Sequence, residues 1–146
     1  MIAYFDTSAI VPLLVREPTS DHCARLWDDA TRIVCARLIY PEACAALARA
    51  VRMRRLTSTQ MVAATAELDE LVAQIDFIEL SENLARTAGR LAQQHGLRGY
   101  DAVHLAAGVT IADHDVVLVT CDADLAAAAR STGLATAVPS TRHADQ

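Results

Sequence analysis

The chain has 146 residues, of which 53% are hydrophobic and 21% charged, and its formal net charge at pH 7 is −5. This size and composition fit one globular domain with a sizeable core and exclude an intrinsically disordered chain. All 13 basic residues are arginines, which excludes P-loop nucleotide-binding proteins, kinases and phospho-receiver domains, because each of these needs a lysine.

The sequence also indicates a compartment. No apolar stretch approaches the roughly 20 residues of a membrane-spanning helix, and Asp6 interrupts the apolar run that would begin a secretory leader. The four cysteines form neither a CxxC pair nor a zinc-binding spacing, and they fit small buried side chains. We therefore expect a cytoplasmic protein without a membrane segment.

Apolar runs typical of strands alternate with helical patterns along the chain. Helix boundaries are indicated by Ser20 and Ser81 as N-caps, by Pro41 in a first turn, and by Gly96 and Gly133 at the ends. Strands are predicted at 2–5, 33–36, 77–80, 116–119 and 135–138. Helices are predicted at 7–15, 20–30, 41–54, 57–72, 81–95, 101–111 and 122–131. This alternation predicts one α/β domain over residues 1–146, with a mostly parallel sheet of four to five strands and a short flexible tail from about residue 139.

Four acidic residues lie next to apolar segments, where a carboxylate is difficult to explain by a structural role. Asp6 and Asp122 follow predicted strands, whereas Glu42 and Asp101 lie at predicted helix starts. Ligands of parallel α/β sheets bind beyond the carboxyl ends of the strands, so all four side chains are expected at one edge. Asp124, two residues after Asp122, can join them.

Each of these acids also has a structural explanation. Asp101 and Asp122 can cap the helices that follow them, and a glutamate such as Glu42 suits the positive end of a helix. Several carboxylates at one edge, however, repel one another unless a cation compensates them. Oxygen ligands without cysteine or histidine favour Mg²⁺ or Mn²⁺ over zinc, and such ions activate water and stabilise phosphoryl transition states. The set therefore predicts metal-dependent phosphodiester hydrolysis.

Three segments and one acid together resemble a known family. Residues 4–9 (YFDTSA), 99–106 (GYDAVHLA) and 119–122 (VTCD), with Glu42 between them, are similar to PIN-domain ribonucleases, and in particular to VapC-type toxins of toxin–antitoxin pairs. The resemblance spans nearly the whole chain in order. It implies a three-layer α/β/α PIN-like domain whose acidic Mg²⁺ pocket, in which Mn²⁺ can substitute, cleaves RNA with a metal-activated water.

The resemblance also implies roles for single residues and a set of partners. Asp6 and Asp101 match the principal metal ligands, and Glu42 and Asp122 match the remaining catalytic acids, which bind metal directly or through water. Asp124 is an alternative fourth acid or a ligand of a second metal. The implied partners are a second copy of the chain, forming a homodimer, and a VapB-type antitoxin whose C-terminal segment brings basic side chains to the pocket.

Other polar residues have two open interpretations. The hydroxyls of Thr7, Ser8 and Thr120 either hold a carboxylate or water near the metal or cap turns and helices. His104 is on the same helical face as Asp101, so it either approaches the pocket or packs in the core. The group of Arg49, Arg52, Arg54 and Arg55 either lines an RNA groove or interacts with the end of its own helix.

Two other functions compete with the ribonuclease. A haloacid-dehalogenase-type phosphatase also begins with a strand that ends in aspartate, but it needs a second acid where this chain has Ser8, and a late lysine. The other alternative is a catalytically inactive PIN-like protein-binding module. The acids at all matching positions speak against it, because an inactive domain is free to lose them.

Overall fold

The computed structural model describes residues 1–141, which form five strands and seven helices. The strands are β1 (Ile2–Phe5), β2 (Arg32–Ala36), β3 (Ile75–Ile78), β4 (Val116–Val119) and β5 (Ala135–Ala137). The helices are α1 (Thr7–Leu14), α2 (Ser20–Asp29), α3 (Ile39–Arg52), α4 (Ser58–Val72), α5 (Glu82–His95), α6 (Gly99–Thr110) and α7 (Ala123–Ser131).

The five strands form one parallel sheet in the order β3-β2-β1-β4-β5. The chain starts in the centre with β1, adds β2 and β3 on one side, and returns to the other side of β1 for β4 and β5. The direction of winding therefore reverses between β1 and β4. In open α/β sheets this reversal opens a crevice at the carboxyl ends of the strands, which is where ligands bind.

Side chains alternate between the two faces of the sheet, and each face is covered by its own helices. Tyr4 and Leu118 pack with residues of α5, α6 and α7, whereas their neighbours Phe5 and Val119 pack with residues of α1, α2, α3 and α4. The alternation follows from the two-residue period of a strand. These two cores confirm the predicted three-layer α/β/α fold with a parallel sheet.

Several predicted boundaries were wrong. Helix α3 is Ile39–Arg52 rather than 41–54. The third strand is Ile75–Ile78 rather than 77–80, because the charged Asp76 lies on the exposed side of this edge strand and pairs with Arg32. Helix α6 begins at Gly99, two residues before the predicted start. Ser20 is the first residue of α2 rather than its cap, and its hydroxyl accepts the N–H of Glu17 instead.

The C-terminal tail was predicted to begin at about residue 139. Residues 142–146 lie outside the described part of the chain, and before them the Ser140 N–H donates to His22 Nδ1 at 2.9 Å. Among the helices of residues 1–141, none has the length and apolar character needed to cross a membrane.

Two glycines, one within α5 and one at its C-cap, are expected to respond oppositely to the same substitution. Gly96, the C-cap of the helix, has a φ of 65° and a ψ of 34°, a left-handed conformation that a Cβ disfavours. Gly89 lies within the helix, and a Cβ there would meet nothing within 4 Å. We expect Gly96→Ala to lower the free energy of unfolding by about 1 kcal/mol and Gly89→Ala to raise it by about 0.5–1 kcal/mol. Urea unfolding of both variants measures the two effects, and equal signs would contradict them.

Candidate active site

Asp6 is the first residue after the central strand β1, and its buried carboxylate is only 3% exposed. Its Oδ1 accepts hydrogen bonds from Ser8 Oγ at 2.7 Å and from the Ala9 N–H at 3.3 Å, which caps α1. Its Oδ2 accepts a hydrogen bond from Thr120 Oγ1 at 2.9 Å. Because Thr120 follows β4, this bond joins the carboxyl ends of the two strands at which the sheet changes direction.

The environment of Asp6 opposes its charge. Burial raises the pKa of this carboxyl from its ordinary 3.8 to about 6, although the charge of His104 and the hydrogen bonds from Ser8, Thr120 and Ala9 lower it. All three hydrogen-bond donors are uncharged groups. A cation beside this carboxylate would offset the cost of burying it, so the electrostatics of Asp6 favour a metal ligand.

The loop after β4 is organised by the hydroxyls of Ser8 and Thr120. Ser8 Oγ accepts the N–H of Cys121 at 2.8 Å, and Thr120 Oγ1 accepts the N–H of Asp122 at 3.0 Å. The two hydroxyl oxygens are 3.2 Å apart. Ser8 and Thr120 therefore hold the Asp6 carboxylate and also bond the backbone before α7, so both arrangements considered from the sequence are present. Their role near a metal stays a prediction.

Asp122 occupies the N-cap position of α7. Its Oδ1 accepts the N–H groups of Asp124 at 2.9 Å and Leu125 at 3.1 Å, which confirms the capping role considered from sequence. Asp124 is exposed and lines a cavity of about 430 Å³ together with His95, Gly96, Leu97, Ala127, Ala128 and Ser131. Within the described residues, neither side chain is hydrogen-bonded to Asp6 or Glu42. Their roles as metal ligands stay predictions.

Glu42 lies in the first turn of α3 and is held through one oxygen. Its Oε1 accepts hydrogen bonds from Thr7 Oγ1 at 2.8 Å and from His104 Nε2 at 2.7 Å. Burial raises the pKa of Glu42, but the bond and charge of His104 and the bond from Thr7 outweigh it, so the pKa lies below its ordinary value. Since Thr7 directly follows Asp6, Glu42 is brought to the same edge of the sheet.

Asp101 is the third residue of α6, one turn before His104, and its side chain is 21% exposed. The N-cap explanation for Asp101 was wrong, because Arg98 occupies that position and makes no side-chain cap bond. Instead, Asp101 Oδ2 accepts a hydrogen bond from Arg98 Nε at 3.2 Å. The Arg98 side chain is 86% exposed, so it adds a positive charge to the surface beside Asp101.

The arginine group at the end of α3 lies away from these acids. Arg49 and Arg52 are exposed in the last turn, and Arg55 Nη1 is 3.7 Å from Glu17 Oε1. A helix rises about 1.5 Å per residue, so Arg52 is about 15 Å along the axis from Glu42. This group therefore does not form the immediate rim of the acidic pocket.

The side chains can be tested against the requirements of Mg²⁺. In residues 1–141, no three Asp, Glu, His or Cys side chains converge closely enough to surround a metal. Mg²⁺, however, commonly keeps several waters and binds proteins through one or two carboxylates. The buried oxygen donor of Asp6, with uncharged hydroxyls around it and Glu42 beside Thr7, fits this hard cation chemically.

The sequence did not predict that Tyr4 and His104 are hydrogen-bonded to each other and, through His104, to Glu42. Tyr4 Oη is 2.9 Å from His104 Nδ1, so the tyrosine is linked through the imidazole to Glu42. Tyr4 was assigned only to a buried strand, although a buried phenol needs a hydrogen-bond partner. That requirement was the available signal, but it does not identify the partner.

Comparisons with known proteins identify the family that the chain resembles. The chain matches the family model of the PIN domain over residues 3–131. It is 38% identical over 132 residues to the ribonuclease VapC49 of Mycobacterium tuberculosis, covering 90% of this chain and 92% of that protein. The fold is similar to that of M. tuberculosis VapC20, described as a sarcin–ricin loop cleaving toxin, with a TM-score of 0.66, 20% identity and coverage of 86% of this chain and 94% of that one.

A second solved structure is a toxin–antitoxin complex from Klebsiella pneumoniae, whose matching chain has a TM-score of 0.66 and 17% identity, with coverage of 94% of this chain and 98% of that one. Below 25% identity, these structural matches show the fold alone. The family model and the VapC49 match confirm the resemblance found in the sequence. The chain therefore belongs to the PIN-domain family and, within it, to the VapC proteins.

Proposed function

We propose that this protein is a Mg²⁺-dependent endoribonuclease toxin of a type II toxin–antitoxin system. The observation that carries the proposal is the buried Asp6 carboxylate, held at the carboxyl ends of β1 and β4 by uncharged donors, with Glu42 hydrogen-bonded to the next residue, Thr7. Membership of the VapC family and the relative named as a ribonuclease support RNA as the substrate.

In this proposal Asp6 and Asp101 are the principal metal ligands, and Glu42 and either Asp122 or Asp124 complete the acidic site. Bound Mg²⁺, or Mn²⁺ in its place, supplies an activated water and offsets the charge of the phosphodiester transition state. Ser8 and Thr120 keep the Asp6 carboxylate in one orientation. Thr7 does the same for Glu42.

Cleavage of RNA by the purified protein tests the proposal. A mixture of structured and unstructured RNAs is incubated with Mg²⁺, with Mn²⁺, or with EDTA, and the products are resolved on a gel. We expect fragments with either metal and none with EDTA, because the carboxylates alone do not activate water. Cleavage that is equally fast in EDTA would overturn the metal mechanism.

Metal binding is expected even without RNA. Calorimetric titration of the metal-free protein with Mn²⁺ should give heat that saturates at or below millimolar metal, and the Asp6→Asn variant should give less. Absence of binding by the folded wild-type protein would instead favour the inactive protein-binding module.

The proposal includes two protein partners. The toxin–antitoxin complex among the structural matches supports a cognate VapB-type antitoxin, whose basic side chains would be complementary to the acidic pocket. A homodimer and a cytoplasmic location, where RNA is translated, complete the proposal. Light scattering of the purified protein measures its oligomeric state, and a monomer at micromolar concentration would contradict the proposed homodimer.

The RNA substrate can be identified by sequencing the new 5′ ends that appear after brief expression of the protein.

A further inference from the structure

His104 lies on α6 inside the protein, with 1% of its surface exposed, yet both of its ring nitrogens are hydrogen-bonded. Nδ1 is 2.9 Å from Tyr4 Oη, and Nε2 is 2.7 Å from Glu42 Oε1. The rings of Tyr4 and His104 also meet edge to face at 6.1 Å between centroids. The imidazole therefore joins the central strand β1 to the glutamate at the start of α3.

The donors and acceptors of this chain have a consistent direction. The Ala36 N–H donates to Tyr4 Oη at 3.1 Å, and the phenol hydrogen can in turn be donated to His104 Nδ1. In the neutral imidazole, the hydrogen is then on Nε2 and is donated to the Glu42 carboxylate, which can only accept. The order is Ala36, Tyr4, His104, Glu42, and it selects one tautomer of the histidine.

The bonds to Glu42 leave one of its oxygens free. Thr7 Oγ1 and His104 Nε2 both donate to Oε1, and these two donor atoms are 3.4 Å apart. Oε2 makes no hydrogen bond within residues 1–141. Two donors on one oxygen fix the plane of the carboxylate and keep the other oxygen available.

We propose that His104 is a positioning residue: with Tyr4, it orients the Glu42 carboxylate so that Oε2 can bind the metal or a metal-bound water. This inference rests on the proposed function, because it gives Glu42 a metal-directed role. Partners that orient metal ligands in this way typically change metal affinity or activity by about 10–100-fold when removed. A buried histidine that served only the core would not change either property.

Three substitutions separate these roles. His104→Leu keeps the approximate volume and removes the donor to Glu42. His104→Gln replaces Nε2 with an amide nitrogen that can still donate to Glu42. Tyr4→Phe removes the phenol that selects the tautomer. His114→Leu, at an exposed histidine, is the matched control.

We expect His104→Leu to lower both Mn²⁺ affinity and kcat for RNA cleavage by about 10–100-fold, with a smaller change in KM. His104→Gln should recover most of both losses, Tyr4→Phe should be intermediate, and His114→Leu should match wild type. A folded His104→Leu variant with wild-type Mn²⁺ affinity and kcat would overturn the proposal. If His104→Leu does not fold, a His104→Gln variant as impaired as Glu42→Gln would overturn it.

Nitrogen-15 NMR of the histidine rings in the metal-free protein provides a readout independent of activity. We expect His104 to show a protonated Nε2 and an unprotonated Nδ1, and Tyr4→Phe to alter this pattern. A ring with its hydrogen on Nδ1 alone would overturn the inference, since Nε2 could not donate to Glu42. This measurement does not depend on RNA cleavage, so failure of the positioning role and failure of the ribonuclease proposal can be told apart.

Discussion

Replacing Asp6 by asparagine should reduce metal-dependent RNA cleavage by at least about 100-fold, the scale for losing one preorganised electrostatic group. The amide keeps the shape of the side chain and an oxygen that can accept from Ser8 and Ala9, so the fold should persist. The substitution does, however, remove the negative charge that would bind a cation. Asp101→Asn should have a similar effect, because that carboxylate is the second principal ligand in the proposal.

Initial rates of cleavage with Mg²⁺ measure this effect, and circular dichroism shows whether each variant is folded. Asp115→Asn is a matched control, because the same chemical change is made at a side chain that is 86% exposed, at the amino end of β4 and away from the pocket. It should leave the rate unchanged. Wild-type rates in both folded variants, Asp6→Asn and Asp101→Asn, would disprove the assigned roles.

The second large effect is a dependence of stability on pH in the metal-free protein. The pKa of Asp6 rises from 3.8 to about 6 on folding, so the folded state binds the proton more tightly than the unfolded state does. Its contribution is therefore fully present below pH 3.8 and is lost as the pH rises through about 6. The loss corresponds to about 3 kcal/mol, on the basis of 1.36 kcal/mol for each pKa unit.

Glu42 acts in the opposite sense, because its lowered pKa gives stability that is lost as the pH falls. The stability of the wild-type protein as a function of pH contains the contributions of both Asp6 and Glu42. It therefore has to be compared with that of Asp6→Asn, which lacks the Asp6 contribution and keeps that of Glu42. Urea unfolding in EDTA should show the variant gaining about 2.4 kcal/mol, most of that loss, relative to wild type between pH 4 and pH 7.5. If the difference in unfolding free energy between Asp6→Asn and wild type is constant across this range, the pKa of Asp6 is not raised on folding.

The position of the acids was accessible from sequence because it depends on simple topology. A residue that follows a strand of a parallel sheet lies at its carboxyl edge, and this was enough to expect Asp6 and Asp122 at the same edge. The pairing of β1 with β4, which brings Asp6 to Thr120, was not predicted. The capping role of Asp122 also follows from its place before a helix. The predicted position of the edge strand β3 was shifted because Asp76 interrupts its apolar pattern. A charged residue is accommodated there because it pairs with Arg32 on β2, which the sequence does not show.

The partners of the acids were not accessible in the same way. His104 is 62 residues from Glu42, and their contact depends on how α6 packs over the sheet relative to the start of α3. Helical periodicity places His104 on the same face as Asp101 but does not say what that face touches. Likewise, the sequence shows Arg98 near Asp101 but not that the guanidinium pairs with this carboxylate.

The bond between Asp6 and Thr120 spans 114 residues of the chain. β1 is the first strand to be synthesised, but its second neighbour, β4, is completed only at Val119. Until then Asp6 has the Ser8 hydroxyl but lacks the donor on its other oxygen, Thr120, and one side of its strand is unpaired. Contacts between such distant residues form late in folding. A growing polypeptide therefore cannot assemble this acidic pocket until synthesis has passed Thr120.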